Sequence, residues 1–289
     1  MKVTGFTFIR NGLKYDYPFV EAINSILPLC DEIIVAVGKS DDDTRNIVAS
    51  LGSKIKIIDT IWDDSLRKGG KILALETNKA FAEVSVDSDW AFYIQGDEVL
   101  HEKYIPEIKS KMLKFKDDKS VDGLLFDYKH FYGSYDYLGA SNNWYRKEIR
   151  IVRSSKNIYS YRDAQGFRKN NNQKLKVKPI DACIHHYGWV KEPKAMQGKQ
   201  EVFHKLWHDE KWMEKNVAKA EEFDYSQIDA LTKFQGTHPN VMNNRVERLN
   251  WKFDYDVTQN KFNLKDRLKN LVKTVTGFRI GEYKNYIEI

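Results

Sequence analysis

An α/β fold built around a mostly parallel sheet is the first expectation from this sequence. Three observations carry it. The first hundred residues alternate short aliphatic runs with helix-length segments. That order implies parallel pairing through right-handed crossovers. Helix-start and helix-stop residues stand between the runs, as Pro18, Ser40–Asp43, Gly52 and Gly69–Gly70. The fourth run, Trp90 to Ile94, is followed closely by the acidic pair Asp97–Glu98. Open α/β sheets bind ligands at the carboxyl ends of their strands.

The elements follow in order. Val3–Ile9 is a β-rich run. Pro18 can open a helix reaching about Leu27. Glu32–Val37 is the second strand, and Thr44–Leu51 is a helix behind the capping residues of the loop. Ile55–Ile58 is the third strand. Lys71–Ala82 has Ile72, Leu75, Ala80 and Phe81 at positions that allow a helix. Beyond Asp97 the texture changes. Tyr104–Phe115 reads as a helix and Val121–Tyr128 as a strand. Residues 128–145 form an aromatic loop region. Glu148–Arg153, Asn157–Tyr161 and Ala182–His186 read as short strands. Lys169–Lys178 reads as an exposed basic loop, and the chain turns helical from about Pro193 to Lys219.

Composition narrows the function classes. With 42% hydrophobic residues the chain can bury a core. The net charge of +6 suits an anionic ligand such as a nucleotide, and without zinc-finger spacing or an RNA-binding signature it points to no nucleic acid. The Gly-x-Gly-x-x-Gly and Walker A patterns are missing, which disfavours dinucleotide and P-loop chemistry. Cys30 and Cys183 sit among apolar neighbours and read as buried thiols, so a reducing, cytoplasmic setting is expected. No signal-peptide pattern and no apolar run of about 18 residues stands in the sequence, so no membrane span is expected.

Several segments, taken in order, resemble family 2 glycosyltransferases. Glu32–Leu51, with Ser40, Asp42 and Thr44 in frame, is similar to the family's second strand, acidic loop and helix. Gly70–Ala82 resembles the helix before its metal strand. Tyr93–Glu98 falls where the family carries an Asp-x-Asp motif, and His185–Trp189 falls at its late histidine. The resemblance covers roughly residues 3–190. It implies a GT-A Rossmann-like fold, with a central sheet flanked by helices and a helical C-terminal extension. A glycosyltransferase domain would span 1–190, with a nucleotide-binding half of about 1–98 and an acceptor half of about 99–190, followed by the extension at 191–289. The implied activity is sugar transfer from a nucleotide diphosphate-sugar, UDP-linked by preference, to a glycan or lipid-linked acceptor in polysaccharide biosynthesis.

The resemblance also implies roles for residues. Phe8, Arg10, Asp42, Lys71, Gln95 and Gly96 would contact the donor. Asp97 and one of the two histidines, His186 preferred over His185, would hold Mn²⁺ or Mg²⁺. Adjacent strand residues point to opposite faces, so only one histidine can face the site. Asp163 would be the general base of an inverting single displacement, with Asp127 and Asp136 as weaker rivals. The chain departs from the family in two places. Gln95 stands where the first metal-motif acid would be, and Val37–Lys39 replace the acids that open the second-strand loop. Glu98 is left as a supporting or helix-capping residue.

Arg10, Arg67, Lys68 and Lys71 suit phosphate contacts. Trp144 and Tyr132 are the aromatics expected nearest the site. Leu264, Leu268, Leu271, Val272 and Val275, interleaved with basic residues, form an amphipathic helical pattern that can lie on an anionic membrane or pack on its own domain. Two other classes stay open at this stage: a sugar nucleotidyltransferase, and a glycan-binding protein that has lost catalysis.

Overall fold

A computed structural model describes residues 1–289 except 67, 209, 217–219, 263–268, 270, 271 and 273–282. Strands β1 (Val3–Ile9), β2 (Glu32–Gly38), β3 (Ile55–Thr60) and β4 (Trp90–Tyr93) alternate with helices α1 (Phe19–Ile26), α2 (Thr44–Ser50) and α3 (Lys71–Ala82). The four strands lie in the order β3-β2-β1-β4, all parallel. Their apolar runs are continuous because both faces are covered. In β2, Ile33, Val35 and Val37 join one core, with α1 beneath the sheet, while Ile34 and Ala36 join a second core with Ala80 and Phe81 of α3. The same alternation sends Trp90 and Phe92 of β4 to the first core, and Ala91 and Tyr93 to the second.

The second half extends the sheet in mixed fashion. The chain runs through β5 (Glu98–Leu100), α4 (Ile105–Phe115), β6 (Gly123–Tyr132), β7 (Tyr137–Gly139) and β8 (Lys147–Val152). Strand β8 pairs antiparallel with both β4 and β6 and so joins the two halves. A small separate sheet follows, made of β9 (Ile158–Tyr161), β10 (Gly166–Lys169) and β11 (Gln173–Lys174). Strand β12 (Lys176–Trp189) pairs parallel with β6 and antiparallel with β5. The result is a mixed α/β architecture with a large central sheet and flanking helices.

After β12 the described elements are α5 (Pro193–Lys205), α6 (Glu210–Asn216), β13 (Leu231–Lys233), α7 (Asn243–Glu247) and β14 (Ile287–Glu288). Strand β13 pairs with β7, and β14 with the start of β12. The amphipathic pattern at 264–278 falls almost entirely outside the described residues, as does Arg67. Among the described residues no helix is long and apolar enough to cross a membrane.

Two sequence expectations change. The aromatic stretch is not all loop, because Tyr128–Tyr132 completes β6. The supposed basic loop 169–178 is the β10–β11 hairpin and the start of β12. Asn170 and Asn172 adopt φ values of 48° and 63° at its turn, a conformation that asparagine tolerates. Cys30 and Cys183 are buried free thiols, as expected.

Candidate active site

A cleft of about 730 Å³ opens at the carboxyl ends of β1 and β4. Pockets for small molecules and cofactors run from about 300 to 1,000 Å³. Phe8, Arg10, Gln95, Gly96, Asp97, Asp163 and His186 all line it. Asp42 and Lys71 do not. Asp42 accepts the backbone N–H of Thr44 at 3.0 Å and that of Lys14 at 2.8 Å, which fixes the loop before α2. Its neighbour Asp41 lines the cleft instead. Lys71 is exposed at the first turn of α3. Arg10 is held at the rim by Asp64, at 2.5 Å.

Asp97 sits in the turn between β4 and β5, and β12 brings His186 against it. The Asp97 Oδ2 to His186 Nε2 distance is 3.7 Å. Lys199 of α5 reaches the same oxygen at 3.4 Å and donates to the Gly188 carbonyl at 2.7 Å. Burial works to raise the Asp97 carboxyl pKa. His186, Lys199 and Lys191 outweigh it and hold the group below the usual carboxylate range. Burial lowers both His186 and Lys199, with Asp97 opposing in each case. The adjacent His185 faces the other way, into a buried cluster with Phe131, Tyr187 and Phe234.

A Cβ built on Gly188 would fall 2.6 Å from Asp97 Oδ2 and 2.8 Å from His186 Nε2. The missing side chain therefore leaves open the space that both atoms face. One carboxylate oxygen and one imidazole nitrogen fit a divalent cation of the Mn²⁺ type. Among the described residues no group of three or more His, Cys, Asp or Glu side chains gathers for a metal. A cation at this seat would complete its shell with ligand oxygens and water.

Gln95 donates through Nε2 to the Ala164 carbonyl at 3.2 Å and to the Tyr93 hydroxyl at 3.3 Å. It thereby ties the β4 end to the turn that carries Asp163. Burial raises the Asp163 pKa against the backbone N–H groups that stabilise its charge. Its Cβ packs on Gly70, which precedes α3 with φ of 64°; a Cβ there would lie 2.7 Å away. Asp127 and Asp136 lie outside the cleft lining.

Trp144, Tyr145 and Trp189 form an aromatic wall. Tyr132 lies behind it, packed against Trp144, Trp189, Tyr225 and Phe253. Glu98 is buried against Arg150 and caps no helix. Glu148 lies buried near Asp163 and Gln165, and burial pushes its carboxyl up to about 8. Sequence reasoning missed Lys199, Glu148, Arg150 and His130. Each is marked only by burial and by long-range pairing.

No family model matches the chain. Over 108 residues, 37% of this chain, it is 31% identical to an uncharacterized glycosyltransferase of Rickettsia typhi and 33% identical to one of Rickettsia conorii. The matched segment spans about a third of the length of those relatives, 32% and 33%. Among solved structures, S. aureus TarS 1-349 in complex with UDP-GlcNAc has a TM-score of 0.41 at 16% identity, covering 76% of this chain and 68% of that one. Glucosyl-3-phosphoglycerate synthase from Mycobacterium tuberculosis, with Mn²⁺, UDP and phosphoglyceric acid, has a TM-score of 0.30 at 20% identity, over 45% and 43% of the two chains.

Proposed function

We propose that this protein is a glycosyltransferase moving a sugar from a nucleotide diphosphate-sugar to a hydroxyl of a glycan or lipid-linked acceptor. The observation that carries the reading is the convergence of a half-buried carboxylate with raised pKa, Asp163, and the Asp97–His186 pair on one cleft. The local identity to proteins named glycosyltransferases supports it. The donor's nucleotide would bind along β1 to β4, within residues of about 1–98. The acceptor would enter from the half at about 99–190, over the aromatic wall, with 191–289 closing the site through Lys199. The cytoplasm is the proposed setting, in keeping with two buried free thiols.

The proposed step is an inverting single displacement. The acceptor oxygen bonds to the anomeric carbon, the bond from that carbon to the β-phosphate oxygen breaks, and the diphosphate leaves with the electron pair. Asp163 takes the hydroxyl proton, a task suited to a carboxylate whose pKa partial burial raises. Asp97 and His186 would hold Mn²⁺ or Mg²⁺, which supplies Lewis-acid stabilisation of the departing diphosphate. Lys199 has three N–H donors and two of them meet Asp97 and the Gly188 carbonyl, so one remains for a phosphate oxygen. Gln95 keeps the Asp163 turn in register with Asp97. The aromatic wall offers flat faces on which a sugar ring can stack.

Thermal-shift screening of UDP-, GDP- and TDP-sugars, each with Mn²⁺ and with EDTA, tests the reading. A ligand selective for the native state raises its apparent stability. A stabilising donor whose hydrolysis is lost in Asp97→Ala is the expected result. If no nucleotide-sugar stabilises the protein under any condition, the reading fails.

A further inference from the structure

Behind His186 stands a second buried histidine. His130, on β6, is 4% exposed and packs between the rings of Tyr128, Trp144, Tyr145 and His186. Both of its nitrogens are engaged. Nε2 lies 2.7 Å from the Tyr145 carbonyl oxygen, and Nδ1 lies 3.3 Å from Nδ1 of His186.

A carbonyl oxygen only accepts, so the proton of His130 sits on Nε2. Nδ1 of the same neutral ring is then a bare lone pair. No carboxylate meets either nitrogen, so nothing at hydrogen-bond distance favours a second proton. The facing Nδ1 of His186 must therefore be the donor. A neutral imidazole carries one proton, and with that proton on Nδ1 the Nε2 of His186 is bare. This nitrogen faces the gap above Gly188 and stands 3.7 Å from Asp97 Oδ2, beyond hydrogen-bond length.

We propose that His130 is a positioning residue that fixes the tautomer of His186, through the chain Tyr145 carbonyl, His130 and His186, so that Nε2 presents its lone pair to a divalent cation beside Asp97. Outer partners of this kind set the ring orientation of metal-binding histidines, and losing one costs about 10–100-fold in metal affinity. The Tyr145 carbonyl belongs to the loop that also carries Trp144. The aromatic wall and the cation seat are thereby joined by two hydrogen bonds. For a neutral His186 the tautomer assignment follows from the hydrogen-bond geometry, while its service to a metal rests on the glycosyltransferase reading.

The test has two arms. Long-range ¹H–¹⁵N correlation spectra of the histidine-labelled protein, without metal, report which ring nitrogen carries the proton. His186 protonated on Nδ1 is expected, with the Nε2–H form appearing in His130→Phe. A wild-type His186 protonated on Nε2 overturns the assignment. In the second arm, Mn²⁺ affinity is measured by electron paramagnetic resonance with UDP present. His130→Phe is expected to weaken it about 10–100-fold, while His130→Asn, which can still accept from His186, stays within a few-fold of wild type. UDP binding in EDTA should be unchanged in both variants, which also shows that the cleft remains folded. Equal Mn²⁺ affinity in all three proteins overturns the metal role. Failure of wild type to bind UDP, GDP or TDP at all overturns the glycosyltransferase reading and the metal role with it, and leaves the tautomer assignment to the first arm.

Discussion

Arg150 and Glu98 meet through two hydrogen bonds, Nε to Oε2 at 2.8 Å and Nη2 to Oε1 at 2.7 Å, with neither side chain more than 1% exposed. The Tyr128 hydroxyl and the backbone N–H of Gln95 complete the carboxylate's shell at 2.9 and 3.1 Å. The guanidinium also lies over the rings of Tyr93 and Tyr128. Since Glu98 follows Asp97 directly, this pair anchors the turn that presents Asp97 to the cleft. Removing one partner strands a buried charge, which costs roughly 3–5 kcal/mol. Arg150→Met should lose stability of that order in urea unfolding. The double variant Arg150→Met with Glu98→Gln should recover part of it.

Glu148 predicts an unusual dependence on pH. Burial raises its carboxyl to about 8 in the folded protein, against an ordinary value near 4.5; Arg150 opposes the shift, while Glu98 and Asp163 add to it. The folded state therefore holds a proton that the unfolded state has lost. Stability from this group is complete below about 4.5 and falls as pH rises toward about 8, by at most about 1.4 kcal/mol per unit. Chemical denaturation at intervals across this window should show that slope in wild type. Glu148→Gln, neutral at every pH, should flatten it.

Gly70 and Asp163 are coupled by space. At φ of 64° a side chain strains the backbone by about 1–2 kcal/mol, and a Cβ would press on Asp163 from 2.7 Å. Gly70→Ala should lower the melting temperature and also reduce kcat by displacing Asp163, the proposed base. Asp163→Asn should reduce kcat about 100- to 10,000-fold, the range for a general base, with the Kd for the nucleotide unchanged. Steady-state transfer assays beside nucleotide titration separate the two effects.

What the sequence revealed followed the range of the forces involved. The elements of the first hundred residues were legible because each is set by local periodicity and caps, and Val3–Ile9 and Lys71–Ala82 keep their expected bounds. Strand β12 was legible only at Ala182–His186. Its remainder carries Lys178, Pro179 and Asp181, and it is extended because β6 and β14 supply its partners. Among the site residues, Asp97, Asp163 and His186 could be singled out by motif order. Asp42 matched the same frame, yet its side chain serves the α2 turn and not the cleft. Lys199 and Glu148 owe their character to burial and to neighbours far away in sequence, so no local pattern announced them.

Lys199 should matter to ligand binding before chemistry. A charge-assisted hydrogen bond contributes roughly 1.5–3 kcal/mol, or about 10- to 100-fold in affinity. Lys199→Met keeps the length of the side chain and removes the charge. Isothermal titration with UDP in EDTA should show that loss, together with a weaker dependence on salt than in wild type. An unchanged Kd would mean that Lys199 serves only to hold Asp97.

Gly188 tests the cation seat itself. A Cβ added there would lie between Asp97 Oδ2 and the His186 ring, at 2.6 and 2.7–2.8 Å. Its backbone is not in the left-handed region, so alanine there is not strained by φ. The methyl group of Gly188→Ala would occupy the space a cation needs while leaving both donors in the chain. Mn²⁺ affinity should therefore fall by at least about ten-fold, as expected when a metal's surroundings are disturbed. UDP binding in EDTA should fall much less, because a phosphate can still reach the third N–H of Lys199. Mn²⁺ binding that survives this substitution would put the metal elsewhere in the cleft.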